Sequence, residues 1–582
     1  MSAFGPALRG DGVTFRLWAP AARDVHLVVD RPMRMEKRGE WFEAHLAGAR
    51  AGMLYRFNID GELDIPDPAS HFQPHDVHGQ SEVVDHAYDW QCRDWAGLPW
   101  ERAVFSEVHV GTFTREGTFR AVADRLDHLA ATGITALELM PLADFPGRWS
   151  WGYDGVLPFA PDSSYGRPED LKALIDAAHA RGLMVFLDVV YNHFGPEGNY
   201  LPRIAPQFFT DAQTPWGGAI DYGNANVRAF TIDNALHWLD HYRFDGLRLD
   251  AVHAIVAPGE PGILHALSET VGRLAAASGR HIHLVLENDD NRATLLDPRQ
   301  DPPAGRYRAQ WNDDYHHGWH VLLTGEDAGY YRDYARPAAQ VVRTLREGYA
   351  YQGEPSPNRG GEPRGEPSGH LPPGAFVDFI QNHDQIGNRP KGERLTALAR
   401  PEPLAAALAV LLLQPSPPLL FMGEEWGATE PFPFFCDFSG DLADAVRKGR
   451  KREFADAYAK HGGADIPDPL AQATRDAAVL DWEALGKPPH RERLALTRAL
   501  LTVRRDHLVP LLPSIERGAD ARIDDGVLAA EWRGGDRRLQ LIANLSDAAK
   551  PRPALIWGQP IWGNTPPQHL PPWSVYAAIG GA

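Results

Sequence analysis

Phe244-Asp245-Gly246-Leu247-Arg248-Leu249-Asp250-Ala251-Val252-His253 begins as an apolar strand pattern and ends in Arg, Asp and His. A charged cluster where a buried strand surfaces marks a candidate reaction centre. Two more acidic outlets, Leu284-Val285-Leu286-Glu287 and Phe379-Ile380-Gln381-Asn382-His383-Asp384, follow at intervals long enough for further strand and helix units. Upstream the same grammar holds, with a strand over 103–110, a helix over about 119–131 and a strand over 134–139. Pro168 can occupy the first turn of a helix running through Leu171, Leu174, Ile175 and Ala178, and Gly182 separates it from the strand Leu183-Met184-Val185-Phe186-Leu187. Helices over about 226–241 and 262–277 lead to the strands that end in Asp250 and Glu287. Segments 306–311, 376–381 and 418–422 supply a sixth, seventh and eighth strand. Eight parallel strands alternating with helices predict a (β/α)8 TIM barrel, with catalytic groups at the carboxyl ends of its strands.

The flanks read differently. Residues 1–97 alternate apolar and polar positions between turn residues, as in Val13-Thr14-Phe15-Arg16-Leu17-Trp18 and Tyr55-Arg56-Phe57-Asn58-Ile59, and predict an N-terminal β-sandwich. The catalytic barrel is expected over 98–510. A C-terminal all-β domain is expected over 511–582, with strands near 527–532, 539–545 and 574–578. Two insertions interrupt the repeat. Residues 351–373 are rich in Gly, Pro, Glu and Ser and are expected to form a flexible loop. Residues 430–480 open with Pro431-Phe432-Pro433-Phe434-Phe435 and either wall a cleft or cover the barrel.

A chain of 582 residues exceeds what one hydrophobic core usually serves, so a large domain with smaller partners is the natural expectation. The formal net charge of -19 disfavours nucleic acid or an anionic membrane as a partner, a local basic patch apart. Only Cys92 and Cys436 are present, too few to staple such a chain, which favours a reducing, cytoplasmic setting. The amino terminus shows no secretory pattern, and the apolar run 404–413 is too short to span a bilayer and reads as a buried helix. Flat rings can stack on sugar faces at low entropic cost, although most of the 17 Trp, 17 Tyr and 24 Phe are expected in the core.

Asp250, Glu287 and Asp384 form the constellation with the clearest chemistry. One carboxylate can attack a sugar carbon while another protonates the departing oxygen and a third holds the distorted ring. Arg248, two residues before Asp250 on a strand, points to the same side and can keep it ionised. Asp188-Val189-Val190-Tyr191-Asn192-His193 forms a further outlet, in which Asp188 can orient Arg248 and His193 can donate to a hydroxyl. His253 and His383 suit sugar contacts better than metal ligation, since tight ligand spacing is absent. No catalytic metal and no cofactor is expected, while Asn192 leaves a structural calcium open.

These segments resemble glycoside hydrolase family 13, the α-amylase superfamily. Asp188–His193, Gly246–His253, Glu287-Asn288-Asp289-Asp290-Asn291 and Gln381-Asn382-His383-Asp384-Gln385-Ile386-Gly387-Asn388 carry the resemblance jointly. It implies Asp250 as nucleophile, Glu287 as general acid/base and Asp384 as transition-state stabiliser, with Arg248, His193 and His383 beside them. Trp151-Gly152-Tyr153-Asp154 is similar to the family segment whose tyrosine stacks on the sugar, which makes Tyr153 the aromatic platform and leaves Trp151 to join it or pack beneath. Glu107–Thr114 and Phe15–Pro20 match the subgroup with an added amino-terminal β-domain. Glu287–Arg292 and Gln310-Trp311-Asn312-Asp313-Asp314-Tyr315-His316-His317 resemble members acting on trehalose-ended chains. The implied substrates are maltooligosyltrehalose and related α-1,4-glucans, with Asp313, Asp314, Tyr315 and His316 as specificity contacts. A branching or α-1,6-debranching enzyme and a non-catalytic glucan-binding protein are the competing readings.

Overall fold

Eight parallel strands form the central sheet of the computed structural model, which describes residues 3–214, 217–255, 262–297, 307–455, 466–554 and 556–581. They are β1 (Phe105–Val108), β2 (Ala136–Leu139), β3 (Met184–Val189), β4 (Gly246–Leu249), β5 (His283–Leu286), β6 (Ala309–Trp311), β7 (Phe376–Val377) and β8 (Leu419–Phe421). The order runs β7-β6-β5-β4-β3-β2-β1-β8, and a parallel bridge between Asp378 and Pro418 closes the ring. The (β/α)8 barrel expected from the sequence is therefore present. Every strand residue of β1 to β8 is buried, because helices cover the outside and side chains fill the inside, so these strands read as apolar runs rather than alternations.

Alternation still decides which residues reach the site. Phe105, Ala136, Phe186, Val285, Trp311 and Val377 share one inner cluster, so residues two further along the same strands emerge at the carboxyl mouth. Gly246 belongs to this arrangement: a Cβ there would stand 2.2 Å from the Phe186 ring, which fills the barrel where β4 has no side chain. β3 and β4 are paired so that Asp188 lies opposite Arg248.

Several local expectations change. The helix expected over 119–131 divides into Phe119–Ala123 and Leu126–Thr132. Regular pairing in β7 covers two residues, and the path continues as Asn382 caps the short helix His383–Gly387. Of the sixth expected strand, Ala309–Trp311 forms, and residue 306 lies outside the described residues. The stretch 351–373 is not an open flexible loop. It contains a two-stranded turn, Glu354–Pro355 with Pro363–Arg364, whose arginines insert into acidic partners beneath it.

The amino-terminal part has two antiparallel sheets, with Gly12–Trp18 and Trp41–Ala47 central in one and Val25–Val28 and Leu54–Ile59 central in the other. Their core runs on into Phe159, Phe230 and Ile263 of the barrel, so this sandwich is seated on it rather than tethered. The carboxyl-terminal part is a five-stranded antiparallel sheet built on Val527–Gly534, Arg537–Asn544 and Val575–Gly581. Pro401–Leu413 is a buried helix, and no helix among the described residues is long and apolar enough to cross a membrane.

Candidate active site

Arg248 organises the mouth of the barrel. Its Nη1 donates to both carboxylate oxygens of Asp188 at 2.8 and 2.7 Å and to Asp250 Oδ1 at 3.0 Å. Its Nη2 stands 2.9 Å from Glu287 Oε2, and the guanidinium lies 4.2 Å from the centre of the Trp311 ring. One delocalised cation thus touches three carboxylates, a task for which the planar fork of arginine suits better than a lysine. Exposure grades across the set: the side chains of Arg248 and Asp188 are sealed, whereas Asp250 keeps 12% and Glu287 19% of its surface open.

Asp250 is aimed by more than Arg248. Asn192 Nδ2 donates to its Oδ2 at 2.7 Å and to its carbonyl at 2.9 Å. The other end of the Asn192 amide contacts His193 Nδ1, so both ends of Asn192 are engaged. Ala251 adopts φ +39°, unusual for a residue with a side chain, and this aims its N–H at Glu287 Oε2, 2.8 Å away. Among the described residues both polar contacts of Glu287's carboxylate involve Oε2.

Asp384 lies in the first turn of His383–Gly387, where Asn382 accepts its N–H and Asn388 Nδ2 donates to its Oδ1 at 2.7 Å. Burial pushes its carboxyl above the usual range; His383 opposes this and Glu287 adds to it. His383 hydrogen-bonds Glu107 through its ring and its backbone N–H. Burial alone would lower the imidazole, but Glu107 outweighs it and holds His383 above its ordinary value. Burial pushes Asp188 up to about 7 against the pull of Arg248.

Tyr153 donates to Asp188 Oδ2 at 2.6 Å and stacks on the His383 ring at 5.1 Å. It remains partly open, as an aromatic platform requires. Trp151 does not join it, as it is buried, stacked on Phe432 at 5.3 Å and bonded through Nε1 to Pro433 O. The aromatic turn 431–435 thus supports the Tyr153 loop from below. His193 Nε2 contacts the Tyr153 carbonyl at 3.0 Å, and exposed His253 accepts the N–H of Asp289.

The segment 313–316 divides. Asp313 stays partly open and receives Gln385 Nε2 at 3.1 Å. Burial, then the nearby charges of Glu287 and Asp289, push its carboxyl well up. Asp314, Tyr315 and His316 are enclosed and do not reach the cleft as the sequence reading expected. Asp314 accepts from Asn291, Tyr334, Arg364 and the backbone of Ala350 and Tyr351. Tyr315 is in the core, and His316 is spent on Ile380 O and Tyr331 Oη. They lie at the start of the helix Asp313–Thr324, where all three are buried.

Four contributors were not marked as site residues from the sequence. Glu107 supports His383, and Glu138 lies opposite Glu107 in the β1–β2 register. Glu138 is fully enclosed, with no hydrogen-bond partner for either oxygen among the described residues. Burial, then the charges of Glu107 and Asp188, push its carboxyl well up. An acidic residue on an inward-facing strand position was the available signal for both. Arg364 and Tyr330, an exposed ring tilted against His317, had no local signal.

Known proteins resemble the chain over most of its length. Residues 100–207 match "Alpha amylase, catalytic domain", residues 3–71 match "Carbohydrate-binding module 48 (Isoamylase N-terminal domain)", and residues 516–576 match a domain of unknown function, DUF3459. The chain is 44% identical over 517 residues to the malto-oligosyltrehalose trehalohydrolase of Deinococcus radiodurans, covering 88% of this chain and 84% of that one. It is 38% identical over 511 residues to the protein of the same name from Saccharolobus solfataricus, covering 87% of each. A crystal structure described as a putative alpha amylase from Salmonella typhimurium superposes with a TM-score of 0.94 at 44% identity, over the whole of both chains. The chain therefore belongs to the malto-oligosyltrehalose trehalohydrolase family, within the α-amylase superfamily that its strand-end motifs resemble.

Proposed function

We propose that this chain hydrolyses the α-1,4-glucosidic bond next to the terminal trehalose of maltooligosyltrehalose, by double displacement with net retention. The observation that carries the mechanism is the single Arg248 guanidinium in contact with both Asp250 and Glu287. Retaining enzymes hold these two carboxyl groups about 5 Å apart, too close for an intervening water. Asp250 attacks the anomeric carbon as Glu287 protonates the departing oxygen, and trehalose leaves. Water then gives a proton to Glu287 and its hydroxide to the same carbon, which frees Asp250 and releases the shorter glucan. Asp384, held by Asn388, binds hydroxyls of the distorted sugar most tightly in the oxocarbenium-like transition state.

The leaving side must accept two glucose units joined α,α-1,1. Asp313 is the member of 313–316 positioned to contact them, and Tyr330 offers a ring at the rim. Asp314, Tyr315 and His316 act by holding that wall. His193, His253 and His383 supply polar contacts around Tyr153. The division of labour follows the sequence: 1–97 a carbohydrate-binding-module-like sandwich, 98–510 the catalytic barrel, 511–582 the terminal β-domain. The two free cysteines suit a cytoplasmic setting.

Product analysis on maltooligosaccharides of equal length, with and without a trehalose end, tests the reading. Free trehalose from the capped series and slow turnover of the plain series are expected. Equal turnover of both removes the specificity, and new or lost α-1,6 linkages favour a branching or debranching enzyme.

A further inference from the structure

Far from the cleft in sequence and in role, three imidazoles meet where the connector after the amino-terminal sandwich crosses the helix leading to β4. His71 and His86 lie on either side of Ser81–Glu82, the short strand that pairs this connector back to Leu54–Tyr55, and His237 comes from the wide turn His237–His241 that ends the helix Ala225–Leu236. Each offers a ring nitrogen, and the three nitrogens lie within 4.8 Å of one another. The ring centres are 4.8, 4.7 and 5.1 Å apart for His71–His86, His71–His237 and His86–His237. Three imidazoles bound tetrahedrally to one ion at about 2.0–2.1 Å would place their ring centres about 5 Å apart. The rings are thus spaced as a ligand trio would be, and small side-chain rotations would draw the nitrogens in to the roughly 3.4 Å that tetrahedral ligation requires.

The burial of His237 is a second and independent observation. The residue is 5% exposed, and its Nε2 is enclosed without a hydrogen-bond partner among the described residues. With the ring proton on Nδ1, Nε2 presents a bare lone pair toward the other two rings. An unused buried acceptor costs free energy, and an ion would recover it. His86 Nε2 and His71 Nδ1 face each other at 3.0 Å with one proton between them. His86 is partly open, which gives a path in.

We propose that His71, His86 and His237 form a structural site for one zinc(II)-like divalent ion that joins the connector to the barrel. Neutral nitrogen donors suit zinc, cobalt, nickel or copper, whereas calcium and magnesium require oxygen. The ion replaces the N–H···N bond between His86 and His71, and that proton moves to the other nitrogen of its own ring, so all three donors bind as neutral imidazoles. His241 stacks on His86 at 4.4 Å and 21°, bracing the ring rather than converging with it. Lys172 donates to His86 O at 2.9 Å and is the nearest cation, a charge that weakens the site without closing it. The helix that carries His237 also carries Asn234, which accepts Tyr191 Oη beside the Asn192 that aims Asp250. The ion therefore steadies that wall and takes no part in bond cleavage.

The test uses the full chain without a histidine tag, stripped with chelator and titrated with zinc chloride and, separately, cobalt chloride. Expected are one ion per chain after dialysis, visible absorption bands for the cobalt form, a raised Tm, and unchanged trehalose release. H71Q and H237Q, checked for native circular dichroism, should each weaken binding about 100-fold or more, and K172M should tighten it. The proposal is overturned if no ion binds at one per chain, or if H237Q and K172M bind as the native chain does. Should either histidine variant fail to fold, K172M and the cobalt spectrum still decide.

Discussion

At the barrel mouth the arginine comes with its carboxylates. Arg248 lies on β4 and Asp250 immediately follows that strand, and Asp188 lies directly across from Arg248 in the register. Over β5, by contrast, the arginines arrive from a distant turn. Arg359 reaches Asp289 and Asp290 at 2.5 and 2.8 Å, while Arg364 bridges Asp289 and the buried Asp314 at 2.9 and 2.8 Å. Strand pairing places the first cluster to within a bond length, as bond-breaking requires. The second cluster folds a Gly- and Pro-rich segment down onto the outlet that carries Glu287, and its work is enclosure. Chemistry and selectivity should therefore fail separately when the two clusters are cut.

The largest effect is expected at the mouth. Asp250→Asn should lower kcat on the order of 10^4-fold or more, because it removes the nucleophile, while Tm stays near that of the native chain. Near-native turnover would rule out Asp250 as the attacking group. Next comes the loop. Arg364→Met leaves Asp314 buried without its cation, and losing one partner of such a pair costs about 3–5 kcal/mol. Four residues still donate to Asp314, so the low end, about 3 kcal/mol, is expected in denaturant unfolding. Adding Asp314→Asn should recover part of that loss, and no recovery would mean that Arg364 stabilises by packing alone.

The same contrast explains what could be read from the sequence. Asp250, Glu287 and Asp384 each end an apolar run, so local pattern and family resemblance both reach them. Glu107 supports His383 from 276 residues away, and no window holds both. Arg364 sits in a stretch whose Gly and Pro content reads as flexible, and only the folded chain shows the buried acid it pairs with. Neighbouring Asp313 and Asp314 look alike in sequence, yet one faces the cleft and the other the interior, because a helix start turns successive side chains in different directions. Sequence leaves Trp151 either to join Tyr153 or to pack beneath it, and its burial depends on Phe432, far along the chain.

The Glu107–His383 pair gives a smaller effect with a defined sign. His383 lies above its ordinary value in the folded chain, so the pair stabilises fully below pH 6.5 and its contribution is lost as pH rises through the raised value. If the alkaline fall in kcat/KM reports loss of this proton, Glu107→Gln should move that limb to lower pH. The stability gap between the two chains should narrow over the same rise. An unmoved limb would assign it to another group.

Arg359→Ala isolates enclosure from both catalysis and burial. Its partners are half-exposed, Asp289 at 49% and Asp290 at 45%, so screening limits its stabilising effect to about 0–1 kcal/mol. Burial would raise the Asp289 carboxyl, yet Arg364 and Arg359 hold it down to about 2, so it stays charged wherever the enzyme is assayed and the grip is intact there. Cutting one arginine should loosen the turn over β5 while leaving Arg248, Asp250 and Glu287 as they are. The expected signature is a raised KM for trehalose-ended chains with kcat nearly unchanged, and a narrower margin over plain chains. A fall in kcat with an unchanged KM would instead mean that the turn positions Glu287 itself, and would merge the two clusters into one machine.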